Sequence, residues 1–108
     1  MKTFKFKMFG KPMEVYFIKD AYAVNDDLYV GAFKVDGDYY GDISKCLPMS
    51  PPLEEKEIYA DTNNSSEIIK AMLKAELLID THETTSCGMC IYPKYKLTDK
   101  FEEYVKVM

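Results

Sequence analysis

The sequence has no excess of basic residues. Lysine and arginine number 14 and aspartate and glutamate 18 among 108 residues, which leaves a net charge of -4. A protein that binds nucleic acid directly is expected to present a basic stripe, and a protein that imitates a phosphate backbone needs much denser acidity. The composition therefore disfavours direct nucleic-acid binding and gives little support to nucleic-acid mimicry.

Long apolar runs are missing as well. No stretch approaches the ~18 consecutive apolar residues of a membrane-spanning helix. The chain opens with MKTFKFKMFGKPMEV, in which lysines interrupt the apolar pairs, so we expect no export signal. The cysteines number three, an odd count that suits a reducing compartment better than a disulfide framework. We therefore expect a cytoplasmic protein with free thiols and no membrane contact.

The sequence lacks the common catalytic motifs. It contains no G-x-x-x-x-G-K, no G-x-S-x-G and no H-E-x-x-H. Its single histidine, His82, lies in the polar stretch THETTS, where we expect a solvated loop and not the pocket that a general base requires. We therefore predict a protein that is not an enzyme, with no cofactor, no metal and no evident small-molecule substrate.

One chemical signature is present, the Cys-x-x-Cys formed by Cys87 and Cys90. A structural zinc needs four ligands, and only Cys46 and His82 remain as further candidates. A thioredoxin-like redox pair would precede a helix, whereas this pair precedes a predicted strand that contains Pro93. We interpret the two cysteines as structural or incidental, and a zinc site and a redox pair stay open as alternatives.

The residues that are present predict one globular domain over residues 1–108, since 47% are hydrophobic and 30% charged. Apolar and polar residues alternate over residues 3–47, the pattern of β-strands. The first two strands form a hairpin around Gly10, and further strands are predicted at residues 28–35 and 39–46, joined by the Asp36-Gly37 turn. The first half is therefore predicted to be an antiparallel meander.

The second half mixes strand and helix signals. A proline-containing loop at residues 47–53 precedes a short strand at 57–60. Asn64 with Glu67 approximates a capping box for a helix over about residues 65–78, whose apolar stripe includes Ile68, Met72 and Ile79. A polar loop at 80–86 and a strand at 90–97 follow. The predicted fold class is α+β: an antiparallel sheet of about five or six strands with one main helix packed on one face.

Two short motifs carry a resemblance to a known family. The first motif is Asp61-Thr62-Asn63-Asn64, and the second comprises Gly88, Cys90, Tyr92, Pro93 and Tyr95. With the order of elements over about residues 3–97, they resemble short bacterial proteins of unknown function encoded in conjugative and phage-like mobile elements of gut bacteria. Cys87 lies outside the family motif, and Ser65-Ser66 stands where family members often have Pro-Trp. The resemblance implies an accessory protein of a mobile element, with an interaction or anti-defence role.

The predicted functional surface is the sheet face that one helix cannot cover, because a helix ~10 Å wide covers about two strands. We expect that face to bind a protein partner or a second copy of the chain through the residues Tyr16, Ile18, Tyr29, Phe33 and Val35. An alternative is inhibition of a nucleic-acid enzyme through the acidic residues Asp36, Asp38, Asp42 and 54–57.

Overall fold

The computed structural model describes residues 2–107 of the chain. Over that range the chain forms seven strands, one α-helix and one 3-10 helix. The strands are β1 (Phe4–Met8), β2 (Lys11–Ala21), β3 (Leu28–Lys34), β4 (Tyr39–Asp42), β5 (Glu57–Tyr59), β6 (Leu78–Cys87) and β7 (Cys90–Leu97). The α-helix α1 spans Ser66–Lys74, and the 3-10 helix spans Asp99–Tyr104. The predicted α+β class with antiparallel strands and one main helix is confirmed.

The first sheet has the order β1-β2-β3-β4 and is antiparallel throughout. Strand β2 is long enough to pair with β1 through its first half and with β3 through its second half. Beyond the end of β1, the segment after the 3-10 helix lies beside β2, where Val105 bridges to Phe17 and the Lys106 amide donates to the Phe17 carbonyl at 2.8 Å. The predicted meander is therefore present, with the C-terminal segment filling the free edge of β2.

The single sheet that we predicted is wrong, because the other strands form a second antiparallel sheet of order β5-β7-β6. The chain leaves the first sheet after Asp42, and an isolated bridge between Ser44 and Ala60 joins the two sheets. The three prolines between residues 47 and 53 remove ladder donors and fix φ. The chain therefore crosses the surface before it pairs again.

The polar loop predicted at residues 80–86 is also wrong, because these residues belong to β6. Most of β6 is exposed and pairs only with β7, so its side chains do not alternate between core and solvent. A bulge between Asp80 and Glu83, with His82 at φ 63°, breaks the period further. The sequence of this strand therefore has no hydrophobic periodicity from which a strand could be predicted.

Helix α1 is shorter than the predicted 65–78. It ends at Lys74, and the chain turns at Glu76, whose φ of 63° is left-handed. Ile79, which we assigned to the helical stripe, lies on β6 and is 54% exposed. The predicted Asn64 cap is wrong too, since Ser65 is the N-cap and makes no capping bond; its hydroxyl instead donates to the Asp42 carbonyl at 2.6 Å.

The main core lies where α1 contacts β1 and β6, on the inner side of the first sheet. Ile68, Ile69 and Met72 of α1 are fully buried there. Phe101 of the 3-10 helix packs against Phe17 with ring centroids 5.0 Å apart and closes one end. Neither helix within residues 2–107 has both the length and the apolar character needed to cross a bilayer.

Candidate functional site

The outer face of the first sheet faces away from the main core. Tyr16 pairs with Phe33, Ile18 with Gly31 and Asp20 with Tyr29, and directly paired residues project from the same side of a sheet. Tyr39 of β4 pairs with Phe33. The structure therefore places four residues that we predicted, Tyr16, Ile18, Tyr29 and Phe33, on one face with Tyr39, which we did not predict. We name these five residues the outer aromatic face.

Tyr16, the predicted centre of this surface, is covered. Its ring stacks on Phe33 with centroids 5.9 Å apart and planes 15° apart, and the Lys106 ammonium lies 5.2 Å from its centroid on the C-terminal segment. Only 7% of Tyr16 is exposed. Tyr16 is thus part of the packed sheet, and the cation over its ring contributes to that packing.

Tyr29 also packs within this face. Its ring lies over Gly31, where a β-carbon would overlap the tyrosine hydroxyl group, so the absence of a side chain at Gly31 makes room for the ring. The Tyr29 hydroxyl donates to an Asp42 carboxylate oxygen at 2.8 Å, and Tyr22 meets the ring edge-on. Partial burial, together with the bond to the Asp42 carboxylate and its charge, raises the pKa of Tyr29 well above its ordinary value.

The exposed part of the face lies at the β3–β4 end. Tyr39 is 56% exposed and meets Phe33 edge-on at 5.6 Å, and Val35, in the turn after β3, is 58% exposed. We name Phe33, Val35 and Tyr39 the exposed aromatic end. Sequence parity missed Tyr39 because a bulge between Ala32 and Phe33 shifts the register, leaving Tyr40 to pack inward against Phe6.

Acidic side chains adjoin the exposed aromatic end. Asp36 and Asp38 lie in the β3–β4 turn, where the Asp36 carboxylate accepts the Asp38 amide at 2.9 Å. Asp42 faces outward on β4 and accepts from Tyr29. The exposed aromatic end is therefore an apolar patch with an acidic border.

A second acidic region is a cleft of about 420 Å³ between β2, β3, the loop before β5 and the 3-10 helix. Acidic side chains outnumber lysines in its lining: Asp20, Asp26, Asp27, Glu54, Glu55, Glu57 and Glu102 against Lys19 and Lys56. Glu57 is buried and accepts the Glu54 amide at 2.8 Å. The acidic residues that we named for inhibition of a nucleic-acid enzyme thus lie in two places, since residues 54–57 line the cleft and Asp36, Asp38 and Asp42 do not.

The residues of the first motif hold a turn before α1. The Asn64 side-chain amide donates to both Asp61 carboxylate oxygens at 3.2 and 3.3 Å, and the Ser65 amide donates to the Asp61 carbonyl. The Asp61 amide donates to the Ile43 carbonyl, which ties this turn to the first sheet. Thr62 and Asn63 complete the turn, and Asn63 is exposed. Asp61 is buried, so the motif has a structural place in the fold.

The second motif lies on the β6–β7 hairpin. Tyr92 packs with Leu47 and Tyr59 in a small second cluster, and Tyr95 belongs to the main core. The Pro93 carbonyl accepts the Ala60 amide. Gly88 and Met89 form the two-residue turn, Gly88 with a φ of 63°.

The thiols and the histidine occupy separate places. Cys87 and Cys90 are backbone partners on either side of the hairpin turn. The Cys46 sulfur lies 3.9 Å from the side-chain oxygen of Asn25, and His82 is exposed on the β6 bulge beside Asp80. Among residues 2–107, no three side chains of His, Cys, Asp or Glu are grouped in a way that could hold a metal ion.

Comparisons of the chain with protein-family models, with curated proteins and with solved structures found no match.

Proposed function

We propose that the chain is a non-enzymatic protein-interaction module that binds a protein partner through its exposed aromatic end. The observation that carries this proposal is the exposure of Tyr39 against the half-buried Phe33, with Val35 exposed in the turn that follows Phe33. Tyr16 stacks on Phe33 on the same face, so the Phe33 ring is packed on one side. A rigid aromatic surface loses little conformational entropy on binding, which is why tyrosine is enriched in interfaces.

The charges around the patch favour a particular kind of partner. Asp36 and Asp38 border the exposed aromatic end in the β3–β4 turn. Rim charges contribute mainly to the rate of association and to the choice of partner. We therefore propose a partner with an apolar centre and lysine or arginine at its border.

The setting of this interaction is part of the proposal. The two sequence motifs support an accessory protein of a bacterial mobile element, acting on a host protein or on a protein of a competing element. The odd number of cysteines, three, supports a reducing cytoplasm as its location.

Two lysine substitutions of matched exposure test the surface. Tyr39→Lys places a charge in the exposed aromatic end, and Ile79→Lys places one on β6, where the native side chain is 54% exposed against 56% for Tyr39. We expect circular dichroism to show both variants folded. Partner capture from cells of the source should fail for Tyr39→Lys and persist for Ile79→Lys.

The oligomeric state separates a foreign partner from a second copy. Light scattering of the wild type should give the mass of one chain if the partner is another protein. A dimer that Tyr39→Lys converts to a monomer would identify the occupant as a second copy. Equal capture by both lysine variants would place the interface on another surface and contradict the proposal.

The acidic cleft favours a second candidate function, inhibition of a nucleic-acid enzyme by occupying its basic surface. Its seven carboxylates against two lysines are the specific observation. Such binding should weaken steeply between low and physiological salt, because surface charges are screened beyond ~8–10 Å at 0.1–0.15 M ionic strength. Glu54→Gln with Glu55→Gln should reduce it, whereas Tyr39→Lys should leave it unchanged.

A further inference from the structure

We propose that Cys87 and Cys90 form a dithiol site that exchanges with small-molecule disulfides and closes into an intramolecular disulfide. The two residues flank a two-residue turn and are direct partners in the antiparallel register. Directly paired residues project from the same face of a hairpin. The fold therefore places the two thiols side by side, an arrangement that Cys-x-x-Cys spacing alone does not guarantee.

The backbone separation at this position suits a disulfide. Directly opposed residues of an antiparallel pair have α-carbons ~4.5–5.5 Å apart, and disulfides are found with α-carbons ~4.4–6.8 Å apart. The hairpin can thus close the bond without a change of register. Gly88, at a φ of 63°, provides the tight turn that sets this geometry.

The surroundings of the two thiols assign them different roles. Cys87 is exposed at the end of β6 and open to a reagent. Cys90 is partly buried and packs against the second cluster of Leu47, Tyr59 and Tyr92. Access favours attack by Cys87 first, and Cys90 is then the adjacent thiol that resolves the intermediate.

The exchange has two steps. The Cys87 thiolate attacks one sulfur of the small-molecule disulfide, whose S–S bond breaks, and one thiolate leaves; a mixed disulfide remains on Cys87. The Cys90 thiolate then attacks the Cys87 sulfur, and the second reagent thiolate leaves. The protein loses two electrons and two protons, and the reagent disulfide gains them to become two thiols.

Zinc is the competing ligand for two adjacent thiols. A structural zinc needs four ligands, and the described residues 2–107 bring no third metal-ligating side chain to this pair. Dithiol exchange needs only the two sulfurs, so it fits what the hairpin provides.

Oxidised glutathione and intact-mass spectrometry test the site. We expect the reduced wild type to lose two hydrogen atoms without retaining an adduct, and Cys46→Ser to behave in the same way. Cys90→Ser should retain one glutathione, mapped to Cys87 by peptide analysis. Cys87→Ser should react at least ten times more slowly than Cys90→Ser.

Three results would overturn the proposal. One is a stable glutathione adduct on the wild type in place of the internal disulfide. Another is a disulfide that includes Cys46 or joins two chains. The third is one equivalent of zinc in the purified wild type that is lost in both Cys87→Ser and Cys90→Ser.

Discussion

The first sheet and the far end of the β6–β7 hairpin are held together by different forces. On the first sheet the inner-facing residues Phe4, Phe6, Val15, Phe17, Val30 and Ala32 are at most 7% exposed. On the second sheet, β5 and the base of the β6–β7 hairpin are packed, but Ile91 and Met89 at its far end are largely exposed. Apolar burial therefore stabilises the first sheet, whereas backbone pairing and a favourable turn hold the far end of the hairpin.

Alanine substitutions at a buried residue of the first sheet and at an exposed residue of the second should give the largest difference in the free energy of unfolding. Phe17 is fully buried between Phe4 and Phe101, so Phe17→Ala should lower the free energy of unfolding by about 3–5 kcal/mol. Ile91 is 65% exposed, so Ile91→Ala should change it by no more than about 0.5 kcal/mol. Urea denaturation followed by circular dichroism measures both. Similar losses would mean that the end of the hairpin is held by burial as well.

Gly31 allows a sharper test of packing on the first sheet. In Gly31→Ala the new methyl group would displace the Tyr29 ring and break its bond to Asp42, at a cost of about 1–3 kcal/mol. In a Tyr29→Ala background the same substitution should be neutral or stabilising, because alanine is favoured over glycine in a strand by about 0.5–1 kcal/mol.

A double-mutant cycle of the four proteins, measured by urea denaturation, gives the coupling between residues 29 and 31. If Gly31→Ala costs the same in both backgrounds, the ring of Tyr29 does not occupy the space beside Gly31.

Substitutions at Asn64, in the turn before α1, distinguish a hydrogen bond that holds the turn from a helix cap. Their expected effect on stability is smaller. Asn64 donates to the Asp61 carboxylate, so Asn64→Ala should cost about 1–2 kcal/mol by removing a hydrogen bond to a charged group. Asn64→Asp should cost more than Asn64→Ala at neutral pH, because two carboxylates would then face each other. A helix cap would give the reverse order, since Asp is itself a favourable cap. Thermal denaturation ranks the variants, and Asn63→Ala, at an exposed neighbouring position, is the control.

The difference in burial between the first sheet and the β6–β7 hairpin also determined which strands could be predicted from the sequence. Alternation identified the first three strands of the first sheet because their inner faces are buried and apolar. It missed β6, where threonine, glutamate and serine face solvent on a two-stranded hairpin. The helix was overextended because Ile79 continues the apolar stripe of Ile68 and Met72, and only the left-handed Glu76 shows that the chain has turned.

Part of the candidate surface could be predicted as well, because residues alternate between the two faces along a strand. Strand parity placed Tyr16, Ile18, Tyr29 and Phe33 on one face, as observed. It could not indicate that residues about 90 positions away in sequence would cover Tyr16, as Lys106 does. Nor could it predict the bulge that turns Tyr39 outward, because bulges depend on pairing between strands.

Tyr29 provides the last test, whose effect is confined to alkaline pH. Its raised pKa means that the folded chain holds the phenolic proton more tightly than the unfolded chain, in which tyrosine ionises near pH ~10. The contribution to stability is therefore complete below about pH 10 and is lost as pH rises from there toward the folded-state pKa. The unfolding free energy of the wild type should fall above pH ~10 by this linkage.

Tyr29→Phe is the matched variant for this test, because phenylalanine keeps the ring over Gly31 and removes the proton. Burial also raises the pKa of Tyr22, Tyr39, Tyr40, Tyr59 and Tyr95, so some alkaline destabilisation should remain in the variant. The fall in unfolding free energy between pH 9 and pH 11, measured with urea, should nevertheless be smaller in Tyr29→Phe than in the wild type. Equal falls in the two proteins would mean that neither burial nor the bond to Asp42 raises the pKa of Tyr29 in the folded chain.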